Sequence, residues 1–224
     1  MAEEGTWRTI RGHRVFISKD GVIHSKYKAL NGKKLGQNKT EESKTENEDI
    51  SHTSKITKKE VIEKYNIEEW EQKMVDDYTG VNYSSINDQL REHNGDVSKC
   101  SLDVQNDCEG LDNVLKKLPK FDGIVHRKES FGRGEVYKEG QTYTNHSYTS
   151  TSAWSDMGGG TILEIKQSSG CNISKLSRSP GENEVLLPRG FTYKVTKVEK
   201  TESGYTRVYA EEVKNGEKEE KKDK

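Results

Sequence analysis

The chain has 224 residues, of which 29% are hydrophobic and 33% are charged, and its formal net charge at pH 7 is -1. This length suits one domain with appendages or two small domains, and the charged fraction indicates that part of the chain stays outside any core. The balanced charge excludes a global attraction to nucleic acid or to an anionic membrane. The 3 cysteines form no C-x-x-C pair, so we expect neither a disulfide framework nor a zinc site.

Short β-prone runs separated by turn signals occupy residues 1–31, where they predict a small β meander. Residues 32–54 lack aromatic side chains and are rich in Lys, Glu, Asn, Ser and Thr, a composition typical of a disordered linker. We therefore expect the main domain to span residues 55–213. The remaining residues, 214–224, form a charged tail that we expect to be disordered.

Apolar residues with a helical period begin at Thr57 and recur at spacings of three and four up to Tyr78. Gly80 is expected to separate this stretch from a second helix over residues 83–91. A third helix is predicted over residues 110–118, because four apolar residues line one side of it and Pro119 ends it.

After Pro119 the sequence becomes rich in β-branched and aromatic residues. Six strands are predicted, over residues 123–127, 140–152, 160–166, 184–187, 192–199 and 206–213. Strands that follow a helical block indicate the α+β class.

Three short motifs lie on or beside these strands: Arg127, then Ser150-Thr151-Ser152, then Glu182-Asn183-Glu184. Side chains two apart on a strand share a face, so Glu182 and Glu184 are expected to project together, about 7 Å apart. The alternative is an exposed strand end with two solvated acids. Alternation also places Ser150 and Ser152 on one face, so Thr151 is expected to pack or hydrogen-bond within the core.

Together these motifs resemble the R, S-T-S and E-x-E signature of the mono-ADP-ribosyltransferases, the group that includes the clostridial binary-toxin enzymes and the Rho-modifying exoenzymes. The segment Tyr78 to Arg91 is similar to the family's helix ahead of the arginine strand, and Ile173 to Gly190 to its substrate-recognition loop and following strand. The resemblance covers about residues 56–213. It implies an α+β domain with a helical N-terminal part and two packed antiparallel sheets that form an NAD cleft.

The resemblance also implies a role for each motif residue. Glu184 would stabilise the oxocarbenium-like state in which the bond between nicotinamide and ribose breaks, and Ser150 would hold that carboxylate. Arg127 would bind the diphosphate of NAD, because a guanidinium engages phosphate oxygens as a planar fork. Glu182 would orient and deprotonate an acceptor arginine.

Three further NAD-binding candidates come from the same resemblance: Arg91, Asn87 and Lys128. Arg91 fits either a phosphate ligand or an exposed helix charge. Lys128 stands where the family often has glycine, so its backbone would bind the nicotinamide amide while its side chain is accommodated. The loop 153–160 lacks the arginine that many toxin members use on the phosphates, and Trp154 with Gly158-Gly159-Gly160 would shape the pocket instead.

The expected function is NAD-dependent mono-ADP-ribosylation of an exposed arginine on a target protein, without a metal, a nucleic acid or a membrane. Two alternatives stay open: an NAD glycohydrolase on the same fold, and a non-enzymatic virion or interaction module with a relic motif. The N-terminal meander and linker resemble leading segments of phage-encoded proteins. We therefore expect a monomer that acts in the cytoplasm of a bacterial host, virion-packaged or not, or outside the cell if it is a leaderless toxin.

Overall fold

The computed structural model describes residues 5–10, 13–18, 23–24, 50, 54–130, 132–154, 160–202 and 204–214. The chain divides into two compact units, one built mainly from residues 1–47 and the other from residue 48 onward. In the first unit, β1 (Gly5–Ile10), β2 (His13–Ser18) and β3 (Ile23–His24) form an antiparallel three-stranded sheet in the region where the meander was predicted. Among the described residues, no helix is long and apolar enough to cross a membrane.

The described part of the second unit begins with four α-helices: α1 (Lys58–Lys64), α2 (Glu69–Asp77), α3 (Tyr83–Glu92) and α4 (Leu102–Lys117). Helix α1 starts where the sequence predicts it, because Thr57 and Glu60 form a reciprocal capping box. Helix α4 begins eight residues before the predicted start. Its first half is polar on the outside, but the Ser101 side chain caps it and buried Val104 and Cys108 extend its apolar side.

Gly80 does not separate two helices as predicted. It lies within a π-helical turn, Tyr78–Asn82, through which α2 continues into α3. Turns of this kind are rare in proteins, and many of those that occur lie at functional sites. Here the turn brings Tyr78, which is 1% exposed, into the core beneath the helices.

Eight strands follow in the described residues after α4: β4 (Gly123–Glu129), β5 (Thr142–Asn145), β6 (Thr149–Ser152), β7 (Thr161–Gln167), β8 (Cys171–Asn172), β9 (Glu184–Leu187), β10 (Phe191–Lys200) and β11 (Thr206–Glu212). The α+β prediction is confirmed. The predicted strand over residues 140–152 is two strands, and β8 was not predicted.

Two packed antiparallel sheets were expected, and the structure differs from this in how the strands are joined. These strands form one hydrogen-bonded sheet in the order β5-β10-β11-β7-β4-β6-β9-β8, and the pair β7–β11 is parallel. The two halves of this sheet meet between β4 and β6 through one residue pair, His126 with Ser152. By contrast, seven residue pairs join β4 to β7.

Strand β9 is buried on both faces and lies between two apolar clusters. Leu186 packs in the cluster formed with the helices, whereas Val185 and Leu187 pack in a second cluster with β4, β7, β10 and β11. Alternation along the strand therefore places Glu184, two residues before Leu186, on the face that the helices cover.

Most of the predicted linker and the tail beyond residue 214 lie outside the described residues. Ile50 does not: it is 4% exposed and packs in the cluster formed with the helices. The main domain therefore includes at least one residue that the sequence analysis placed in the disordered linker.

Candidate active site

Glu184 is the first residue of β9 and is 5% exposed. It lies opposite Ser152 of β6 in the antiparallel register. Burial raises the pKa of its carboxyl group to about 7; a hydrogen bond with Ser150 opposes this rise, and the nearby Glu182 carboxylate adds to it. A buried acid with this pKa is half ionised near neutral pH, which suits a group that must present a negative charge to a ligand.

Glu182 does not share a strand face with Glu184, contrary to the prediction. It is an exposed residue in a 3-10 turn, Pro180–Glu182, that ends before β9 begins. Asn183 follows with φ of 49°, in the left-handed region. This residue interrupts the extended backbone between the two acids, so their side chains point in different directions. One carboxylate is consequently buried in the site while the other faces solvent at its edge.

Asn183 is fixed by its own side chain, which the sequence analysis missed. Its Oδ1 accepts hydrogen bonds from Asn172 Nδ2 at 3.2 Å and from Ser174 Oγ at 3.3 Å. Ser152 Oγ donates to the backbone oxygen of Glu182 at 2.9 Å, which holds the turn from the other side. Asn tolerates left-handed backbone, so the residue type was a usable signal, but its partners come from the end of β8 and from the loop that follows it.

Ser150 connects Glu184 to the helical layer. Its hydroxyl lies 3.3 Å from the hydroxyl of Tyr78, and Asn87 Nδ2 donates to that same Tyr78 hydroxyl at 3.2 Å. The structure therefore brings Ser150 and Asn87 together on the face that carries Glu184, with Tyr78 as an unpredicted member that bonds to both. Thr151 lies on the other face and donates to the backbone oxygen of Val185, as expected.

Arg127 lies on β4, across the junction of the two sheet halves. Its Nη1 donates to the backbone oxygen of Ser150 at 2.9 Å, and its Nε is 3.5 Å from Glu129 Oε1. The side chain is 37% exposed, so part of the guanidinium stays accessible to a ligand. Arg127 and Ser150 thus meet as the motif order predicted.

Arg91 and Lys128 make different contacts. Arg91 donates to Asp88 Oδ1 at 2.5 Å and to Ser147 Oγ at 3.3 Å, and its side chain is 54% exposed. Lys128 is exposed, and alternation along β4 places its side chain on the face opposite Arg127. Their roles in binding stay predictions, and for Lys128 the backbone remains the relevant part.

A loop between β8 and β9 carries Glu182 and rests on the π-helical turn. Arg178 N donates to Thr79 Oγ1 at 3.0 Å, and a Cβ atom on Gly80 would lie 3.3 Å from Arg178 Cδ and Nη1. Arg178 Nη2 is also 3.7 Å from Asp77 Oδ1. The same turn therefore contacts both Ser150, through Tyr78, and the loop that ends in Glu182.

Comparison with known proteins decides the family. The profile of the ADP-ribosyltransferase exoenzyme family matches residues 54–215, which is most of the chain. The chain belongs to this family. The match ends within a few residues of the range that the motifs predict.

A curated family relative is Mav of Mycobacterium avium (strain 104), named as a candidate NAD(+)-arginine ADP-ribosyltransferase. It is 33% identical over 138 residues, which are 58% of this chain and 16% of that protein. The present chain thus spans about a sixth of that relative's length.

Solved exoenzyme structures share the fold. The C3 exoenzyme of Clostridium limosum has a TM-score of 0.62 at 21% identity, with 70% of this chain and 91% of that chain covered. An ADP-ribosyltransferase of Clostridium botulinum gives 0.61 at 22%, covering 69% and 91%. The Vis toxin of Vibrio splendidus, also an ADP-ribosyltransferase, gives 0.55 at 24%, covering 70% and 79%. In the described part of this chain, no group of three or more His, Cys, Asp or Glu residues is arranged to hold a metal ion.

Proposed function

We propose that this exoenzyme-family protein transfers ADP-ribose from NAD to an arginine side chain of a target protein and releases nicotinamide. The observation that carries the proposal is the difference in burial between two nearby carboxylates. Glu184 is buried and hydrogen-bonded with Ser150, whereas Glu182 is exposed at the edge of the same site. A buried acid suits the stabilisation of a charge that develops on a bound ligand, and an exposed one suits the reception of an incoming cation.

The residues around Glu184 fit NAD by their chemistry. Arg127 offers a partly exposed guanidinium for phosphate oxygens. The side-chain oxygen of Asn87 is buried without a hydrogen-bond partner, so it can accept a donor from a ligand. NAD supplies a glycosidic bond whose cleavage places positive charge on the ribose and releases nicotinamide as the leaving group.

Glu184 would stabilise the positive charge that develops on the ribose. Its carboxylate, held by Ser150, accepts a hydrogen bond from a ribose hydroxyl, and the bond strengthens as the sugar becomes cationic. Glu182 would pair with the guanidinium of the acceptor and take a proton from the nitrogen that forms the new bond to the sugar. The exposed position of Glu182 supports this role better than the strand position that the sequence suggested, because a protein-borne arginine must approach from solvent.

The test compares Glu182→Gln and Glu184→Gln, with agmatine as acceptor. Glu184→Gln should abolish both agmatine modification and nicotinamide release. Glu182→Gln should lose agmatine modification by orders of magnitude, while nicotinamide release stays within about tenfold of the parent's basal hydrolysis, or ~1.4 kcal/mol. Glu211→Gln, an exposed acid on β11, is the matched control and should leave both activities unchanged.

The outcomes separate the alternatives. Retention of more than about a tenth of the activity by Glu184→Gln would show that another residue is the catalytic acid. Nicotinamide release by the parent without any agmatine modification would favour an NAD glycohydrolase. A parent that neither binds NAD in a thermal melt nor releases nicotinamide would be a non-enzymatic module.

The target and setting are part of the proposal. We propose a monomer that modifies an exposed arginine on a protein of a bacterial host, after delivery with a phage particle or synthesis in the host cytoplasm; a secreted toxin is the other setting. The resemblance of the N-terminal region to phage-encoded proteins supports the first. Labelling bacterial and animal lysates with biotin-NAD, with Glu184→Gln to subtract enzyme-independent labelling, identifies the target by mass spectrometry.

A further inference from the structure

Four polar side chains lie in series from the helical layer to Glu184. Asn87 Nδ2 donates to the Tyr78 hydroxyl at 3.2 Å, that hydroxyl lies 3.3 Å from Ser150 Oγ, and the strand register sets Ser150 and Glu184 on the same face of β6 and β9, two positions apart. Tyr78, Asn87 and Glu184 are 1%, 7% and 5% exposed, and Ser150 is half-buried, so water has little access to the bond between Asn87 and Tyr78.

The protons in this series can be placed by counting donors. A carboxylate accepts only, so if Ser150 bonds to ionised Glu184 it does so with its one proton. The bond between Tyr78 and Ser150 must then be donated by Tyr78, since Ser150 has no second proton. The Tyr78 oxygen in turn accepts from Asn87, whose amide nitrogen faces it. Each donor is satisfied in this one direction.

We propose that Tyr78 is a positioning residue for Glu184: its hydroxyl holds Ser150 Oγ so that the serine proton points at the catalytic carboxylate. The proposal rests on the function proposed above, since it concerns the residue that acts in the same site. Tyr78 does not contact the reacting atoms, and its effect passes through Ser150.

The series favours the ionised form of Glu184. If Glu184 became protonated and donated to Ser150, the serine would donate to Tyr78, and Tyr78 would need an acceptor. Its neighbour in the series presents an amide nitrogen, so the buried side chain of Asn87 would have to turn over. Burial also raises the pKa of the Tyr78 phenol, which therefore stays protonated and able to donate.

The backbone around Tyr78 keeps the hydroxyl in place. Tyr78 is the first residue of the π-helical turn, and Thr79 Oγ1 donates to Val75 O at 2.8 Å. The Tyr78 ring packs edge-on against Tyr148, with the ring centroids 5.7 Å apart. Removing the hydroxyl alone should therefore leave the ring and the turn where they are.

The test is Tyr78→Phe, with nicotinamide release measured from about pH 5 to 9. The charged groups near Glu184 are Glu182, which raises its pKa, and Arg127 on β4, beyond the intervening strand β6. Without the Tyr78 donor, the Ser150 proton is free to turn away, so the acid limb of kcat/KM for NAD should move to higher pH by roughly half a pH unit or more. The rate should fall about threefold or more below pH ~7, as that shift requires, and less above pH ~8, whereas KM for agmatine should stay the same.

Tyr148→Phe is the matched control. It also removes a buried hydroxyl from the same core, but that hydroxyl donates to Asp112 Oδ1 at 2.6 Å rather than to Ser150. This variant should lose thermal stability and keep the parent's acid limb. An acid limb that moves equally in both variants, or in neither, overturns the proposal.

An independent readout keeps the proposal distinct from the proposed function. If the parent shows no turnover, the function fails, and the pH dependence of urea unfolding still reports on Glu184. Tyr78→Phe should then steepen the loss of stability with rising pH relative to Tyr148→Phe. Identical slopes would overturn the role of Tyr78 whatever the activity of the protein.

Discussion

Replacement of Glu184 by glutamine should make the free protein more stable at alkaline pH. The pKa of this buried carboxyl is about 7 in the folded protein, against an ordinary value of 4.5. Because the folded state holds the proton more tightly, the stability that the protonated acid provides is present below pH 4.5 and is lost as pH rises through 7. The difference of about 2.5 in pKa corresponds to about 3 kcal/mol of unfolding free energy.

Glutamine has the size of the protonated acid and no titration, so its effect should follow that curve. We expect urea unfolding to give similar free energies for parent and Glu184→Gln at pH 4.5. At about pH 8 we expect the variant to be more stable by up to about 3 kcal/mol, or roughly 6–12 °C in Tm. Glu211→Gln should differ from the parent by a constant amount. A constant offset for Glu184→Gln as well, or a less stable variant at that alkaline pH, would refute the assigned burial of this charge.

Two further predictions concern the loop and the domain boundary. Asn183→Ala should cost about 2–4 kcal/mol of stability and lower agmatine turnover, because it forces alanine into left-handed backbone and leaves Asn172 and Ser174 without their acceptor. Asn183→Gly should recover the part of this loss that comes from the backbone conformation. Equal urea midpoints for the two variants would show that the backbone conformation does not matter. Removal of residues 1–47 should leave turnover on agmatine largely unchanged. Removal of residues 1–50 should in addition lower the free energy of unfolding by about 2–4 kcal/mol, because it takes the buried Ile50 from the core. Equal Tm values for the two truncated proteins would contradict this role of Ile50.

Local sequence patterns predicted much of the fold. The capping residues and apolar spacing of α1 and the β-branched run of β9 specify their elements without help from distant residues. The polar first half of α4 hid its apolar side, since only Val104 and Cys108 carry that side there and acidic residues stand next to both. Ile50 is a single apolar residue in a polar stretch, and its burial depends on a tertiary contact that composition does not reveal.

The sequence predicted which motif residues lie close together, but not the geometry in which they meet. The order of Arg127, Ser150 and Glu184 along the chain placed them in one site, and the structure joins them across β4, β6 and β9. The position of Glu182 was wrong because Asn183 breaks the strand pattern through hydrogen bonds to another loop. Tyr78 was missed as a member because its contribution is one hydroxyl contact between residues 72 positions apart.

The single residue pair between β4 and β6 gives the sheet a seam. Strands β5, β10, β11, β7 and β4, with Arg127, lie on one side, and β6, β9 and β8, with Ser150 and Glu184, lie on the other. The hydrogen bond from Arg127 to the Ser150 carbonyl crosses this junction close to the His126–Ser152 pair. A ligand held by both Arg127 and Glu184 would therefore bridge the two sides of this junction, and its binding should stabilise the protein most where the strands share the fewest hydrogen bonds.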